Sequence, residues 1–167
     1  MRTGTRQGPE IWIRGPVAAP PAPEPAPAPT GTVRRFSWVG THGGSGVSTL
    51  ATVYGGQDCG RDWPGAADPP SVLLVARTHA TGLACVVHAL EVFRRGEAPP
   101  GLDLDAVVLV ADAPGRLPRP LAQQVRLIES VIDVYRVPWV SAWRLGDLSG
   151  RPPRETEALL RLTTAVH

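Results

Sequence analysis

The chain has 167 residues, a formal charge of +2 and 43% hydrophobic residues, enough for one domain with its own core. So small a net charge, on arginines paired only at Arg34-Arg35 and Arg94-Arg95, gives no signal for a nucleic-acid partner. Two cysteines, Cys59 and Cys85, allow one bridge but make no disulfide framework or CxxC motif, and no apolar run is long enough to span a membrane.

Arg2 and Arg6 precede no apolar stretch of the signal-peptide kind, so a cytoplasmic location is expected. The absence of Lys and Asn, with abundant Ala, Pro, Gly and Arg, reads as the coding bias expected of a GC-rich genome. Residues 1–30 read as a disordered, Pro-rich arm. Its run PVAAPPAPEPAPAP (Pro16 to Pro29) is a polyproline spacer, extended at about 3.1 Å per residue and unable to build a core. The spacer isolates a short apolar motif over 9–16, in which Ile11, Trp12 and Ile13 are either a chance cluster or a segment that docks on a protein partner.

Residues 31–167 read as an α/β domain. Strands are expected at Val33–Val39, Ser71–Ala76, Ala106–Ala111 and Val137–Ala142. A helix begins near Val47 and runs through Leu50 and Val53. A second carries the stripe Leu83, Val86, Val87 and Leu90, with Phe93 extending it. A third carries Leu121, Val125, Ile128 and Ile132 behind Pro120 near its first position. The last follows Pro152-Pro153 and spans Arg154–Val166. Alternation of strands with helices predicts a small, mainly parallel sheet of about four strands flanked by helices. The continuously apolar runs Val72–Val75 and Val107–Val110 require cover on both sheet faces.

Between the first strand and first helix lies His42-Gly43-Gly44-Ser45-Gly46-Val47-Ser48-Thr49. Glycines there let backbone N–H groups approach a phosphate, the helix start directs its dipole at an anion, and Ser48 is placed to hold Mg²⁺, with Thr49 beside it. The lysine position of a phosphate-binding loop is Val47, and all 17 basic residues of the chain are Arg. The turn is either an anion cradle or a tight strand-to-helix connection that uses glycine for packing. Losing the lysine weakens nucleotide binding by about one to two decades, taking about 1.5–3 kcal/mol for one charged hydrogen bond. It removes the charge stabilisation on which phosphoryl transfer depends.

The segment FSWVGTHGGSGVSTL, Phe36 to Leu50, resembles the deviant Walker A loop, KGGxGKST, of ParA/MinD-type ATPases. Gly43, Gly44, Gly46, Ser48 and Thr49 match; His42 stands at the signature lysine and Val47 at the loop lysine. The resemblance implies a P-loop NTPase-like fold, with ATP or another nucleotide and Mg²⁺ at His42–Thr49, and a homodimer or other protein partner. It also implies a strand order of 1-2-3-4; right-handed crossovers then put the connecting helices on one face, leaving the other to the C-terminal helix, which is favoured, to the Ile11–Ile13 head or to another subunit. Ala111-Asp112 occupies the place of the family's base-binding Asn. The short connection before Ser71 leaves no room for its switch regions and Walker B carboxylate.

Four further residues are candidates. Arg77 follows the second strand and could supply the missing positive charge. Asp112 ends the third strand and reads either as a carboxylate for Mg²⁺ or a base or as an Asx-type turn residue with Pro114-Gly115. Arg116 and Arg144 read as phosphate or partner contacts or as surface arginines, and Arg77 as a solvated loop arginine if not a ligand. Trp139 and Trp143 read as core or interface. The expected function is a degenerate P-loop protein that binds nucleotide or phosphate weakly, with a regulatory or assembly role and little hydrolysis. The alternatives are a pseudo-NTPase scaffold that binds no nucleotide, and an ATPase that uses Arg in place of Lys.

Overall fold

A computed structural model describes residues 33–165, which belong to one compact unit, Gly31–His167. The arm with Ile11, Trp12 and Ile13, and Val166, expected at the end of the last helix, lie outside the described residues. Five strands form an all-parallel sheet in the order β2-β1-β3-β4-β5: β1 Ser37–Gly40, β2 Gln57–Asp58, β3 Ser71–Arg77, β4 Asp103–Val110 and β5 Val134–Val137. Helices α1 (Val47–Tyr54), α2 (Ala80–Arg94), α3 (Arg119–Glu129), α4 (Ser141–Arg144) and α5 (Glu157–Thr164) connect or follow them, with a 3-10 turn, Arg154–Thr156, before α5.

The expected order holds for the four longer strands, but a fifth, β2, pairs on the outer side of β1. Its two residues are polar and exposed, so no hydropathy pattern marked them. That strand corrects the placement of the helices. The crossover β1-α1-β2 runs one way along the sheet, whereas β3-α2-β4 and β4-α3-β5 run the other. Right-handed crossovers therefore put α1 on one face and α2 with α3 on the opposite face.

Side-chain alternation along the strands fills both layers. Phe36, Trp38, Leu73, Val75, Val108, Val110 and Val137 pack with Val47, Leu50 and Tyr54 of α1 and Leu159 of α5. Val39, Val72, Leu74, Ala76, Val107 and Leu109 pack with Leu83 and Val86 of α2 and Val125 and Ile128 of α3. The C-terminal helix does cover the face opposite α2 and α3, in company with α1. Tyr54 donates its hydroxyl proton to Thr156 Oγ1 at 2.7 Å, and Thr156 donates onward to the Pro153 carbonyl at 2.7 Å, which ties α1 to the start of α5.

Element boundaries also differ from expectation: β3 runs on to Arg77, β4 is Asp103–Val110 rather than Ala106–Ala111, and α3 ends at Glu129, short of Ile132. The first strand begins at Ser37 rather than Val33; ahead of it Arg34 pairs with Asp105, which also accepts from Ser71 Oγ. The last strand is Val134–Val137 and shares only Val137 with the expected Val137–Ala142, because Pro138 has no N–H for the ladder and Ser141–Arg144 forms one helical turn. At the start of β1 the Arg34 N–H donates to the Ala165 carbonyl at 3.0 Å, joining the two ends of the described fold.

Candidate functional site

The order 2-1-3-4-5 reverses direction at β1, so the loops leaving β1 and β3 diverge to opposite faces and open a crevice at their carboxyl ends. The glycine-rich turn and Arg77 meet in that crevice. The turn is held from below by main-chain bonds, Gly40 N–H to the Gly60 carbonyl at 2.7 Å and Thr41 N–H to the Val75 carbonyl at 2.9 Å. Gly44 has φ +72°, a left-handed conformation that side chains rarely adopt, and Gly46 is the N-cap of α1 with no side-chain cap. The first N–H groups of α1 consequently lack a capping side chain and carry the positive end of the helix dipole.

Arg77 straps the three strand ends together. Its main-chain N–H donates to His42 Nε2 at 3.0 Å, its Nε to the Gly44 carbonyl at 3.2 Å, and its Nη1 to the Ala111 carbonyl at 3.1 Å. Burial pushes its guanidinium below the ordinary arginine value, nearby Arg144 pushes in the same direction, and Asp112 opposes them. Among the described residues neither Arg77 nor Arg144 is within salt-bridge distance of a carboxylate.

His42 is committed to the scaffold. Nε2 accepts from Arg77, so Nδ1 carries the hydrogen and donates to the Gly43 carbonyl at 2.8 Å, which makes the imidazole neutral. Its ring lies 5.0 Å from that of His79, which caps α2 by accepting the Gly82 N–H on Nδ1 at 2.9 Å. The close approach is set by Gly82: a Cβ there would sit 2.3 Å from the Arg77 carbonyl oxygen and 3.0 Å from His42 Nε2. Thr78 closes the other side, its N–H donating to the Val110 carbonyl at 3.1 Å and its Oγ1 accepting the Asp112 N–H at 3.1 Å.

The structure therefore brings together His42, Gly43, Gly44, Gly46, Thr49, Arg77 and Asp112, with Arg144 near enough to act on Arg77 through its charge. Ser45 is buried beneath the turn and Val47 is a core residue, 6% exposed, so neither side chain faces an approaching ligand. Ser48 is exposed on the first turn of α1. Its hydroxyl is a lone donor there, and no group of three His, Cys, Asp or Glu side chains is placed to hold a metal among the described residues. These residues do not by themselves make a Mg²⁺ site. Arg116 is exposed and lines a groove of about 670 Å³ that adjoins the crevice at Thr78, His79 and Asp112 and runs past Leu121 of α3 to Leu159.

The cavity directly under the turn is small, about 40 Å³, walled by Gly46, Thr49, Arg77, Trp139 and Trp143. A ligand would lie on the turn's open face, where a Cβ at Gly43 or Gly44 meets nothing within 4 Å. Sequence reasoning missed the capping role of His79 and the bond that ties His42 to the end of β3. The one signal was Thr-His-Ala-Thr-Gly after β3, with a glycine where a helix is just starting. Cys59 is half-buried; burial raises its thiol above the ordinary value, a hydrogen bond with Ser37 opposes this, and the acidic neighbours Asp68, Asp58 and Asp62 add to the rise.

Fold and site define a small doubly wound α/β protein with a glycine-rich turn at its switch point. The chain belongs to the family described as a family of unknown function, DUF6668, which matches residues 35–162. No curated protein and no solved structure matches it. No helix among the described residues is long and apolar enough to cross a membrane.

Proposed function

We propose that this protein is a degenerate P-loop-like module that binds a phosphate-bearing ligand, a nucleotide or a simpler phosphate, weakly and without turnover, in a regulatory or assembly role. One observation carries the reading. A guanidinium with no carboxylate partner among the described residues is fixed to the Gly44 and Ala111 carbonyls, beside the uncapped start of α1. Arginine presents several N–H donors in a rigid fork, so two spent on carbonyls leave others for a phosphate oxygen. Hydrolysis is not expected, because Val47 replaces the loop lysine and His42 is a neutral, fully engaged imidazole.

The test is calorimetric titration of the full chain with ATP and with orthophosphate, with and without Mg²⁺, alongside a Gly43→Val variant. Gly43 is the better position than Gly44 because its φ is unstrained and a Cβ there meets nothing, so the variant keeps the fold while covering the turn. Weak binding lost in that variant supports the reading; affinity unchanged by it, or no binding at all, overturns it.

The second reading, an interaction scaffold that binds no nucleotide, is favoured by the core placement of Val47, which makes the first turn of α1 a packing element. Absence of any titration heat together with a specific protein partner would select it.

A further inference from the structure

The β5–α4 connection closes one side of the crevice. Trp139 and Trp143 wall the small cavity opposite Gly46, Thr49 and Arg77, and the Arg144 guanidinium lies over the Trp139 ring, 4.6 Å from its centroid. Stacking holds a long, exposed side chain at the rim of the site and lowers the entropy lost when it meets a ligand. Two guanidinium groups thus stand on the crevice, one half-buried at the end of β3 beside the start of α1 and one exposed at the end of α4, near enough for each to feel the other's charge. Neither pairs with a carboxylate among the described residues. Like charges held near one another are unfavourable in the free protein and are relieved by an anion between them.

We propose that Arg77 and Arg144 form a two-cation clamp that selects linked phosphates, a diphosphate or longer chain, over a single phosphate. This deepens the anion-binding reading and rests on it. One phosphate meets Arg77 and the N–H groups at the start of α1; the next extends toward the rim and meets Arg144. A lone orthophosphate satisfies the first position only, so Arg144 sets the preference and the turn sets the binding itself.

The experiment titrates the full chain with pyrophosphate, tripolyphosphate and orthophosphate, using wild type, Arg144→Gln and Gly43→Val. In wild type, pyrophosphate binds at least about tenfold more tightly than orthophosphate, as one extra charged contact implies. In Arg144→Gln that ratio falls toward one, and the steep loss of pyrophosphate affinity with added NaCl becomes shallower. A ratio unchanged by Arg144→Gln in a folded variant overturns the clamp even where Gly43→Val abolishes binding. Binding of all three anions that survives Gly43→Val, or no binding in wild type, overturns the anion-binding reading and the clamp with it.

Discussion

The main-chain N–H of Arg77 donates to Nε2 of His42, so the end of β3 holds the glycine-rich turn by an imidazole rather than by a charge. The residue that stands where the resembled ATPases carry a signature lysine is here a neutral acceptor in the scaffold. Its role is to position Arg77.

Replacing His42 by Ala leaves the Arg77 N–H without its acceptor and the turn without its tether. Stability falls by about 1–2 kcal/mol, the cost of an unsatisfied, partly buried donor. A lower urea midpoint with unchanged slope is the expected result; an unchanged midpoint would show that the tether is dispensable.

Restoring the loop lysine does not restore a P-loop. Val47 packs in the layer with Phe36, Trp38 and Leu50, so Val47→Lys places an ammonium in the core and costs about 3–5 kcal/mol. Urea melts of the variant will report this loss. Near-normal stability combined with tightened ATP binding would mean that the lysine can swing out of the core.

Gly82→Ala tests the crevice from the other side. The new methyl group would meet the Arg77 carbonyl, which cannot retreat without breaking the end of β3. A cost of about 2–3 kcal/mol is expected from such overpacking, although alanine is the better helix former. A neutral or stabilising substitution would place Gly82 farther from β3 than described.

Alkaline pH probes the link between α1 and α5. Burial raises the Tyr54 phenol above its ordinary value of 10.0, and its hydrogen bond to Thr156 opposes this only in part. The folded state therefore favours the protonated phenol. Its contribution is complete below pH 10 and is lost as pH rises through the folded value. Thermal melting should fall more steeply above pH 10 in wild type than in Tyr54→Phe; parallel curves would remove Tyr54 as the cause.

Much of the fold was legible because the strands that carry it are apolar on both faces. Val72–Val75 and Val107–Val110 announce a covered parallel sheet, and the Leu83, Val86 and Leu121, Val125 stripes announce the helices of one layer. What hydropathy could not announce was β2, whose Gln57 and Asp58 are held through main-chain bonds, Gln57 N–H to the Phe36 carbonyl and Cys59 N–H to the Trp38 carbonyl. Missing that strand reversed the side assigned to α1. At the site, the glycines and Arg77 could be read from spacing. The engagement of His42 and the burial of Ser45 and Val47 depend on contacts between residues distant in sequence, which spacing does not encode.

The bond from the Arg34 N–H to the Ala165 carbonyl makes the described fold a closed circuit whose seam lies at the amino edge of the sheet. Because every strand is parallel, the glycine turn lies at the carboxyl edge, the other pole. The order in which the elements are strung is thus separable from the site they build. A rearranged chain in which Ala165 runs by a short linker into Val33, opened between the exposed Ser149 and Gly150, should keep both core layers and an unobstructed crevice.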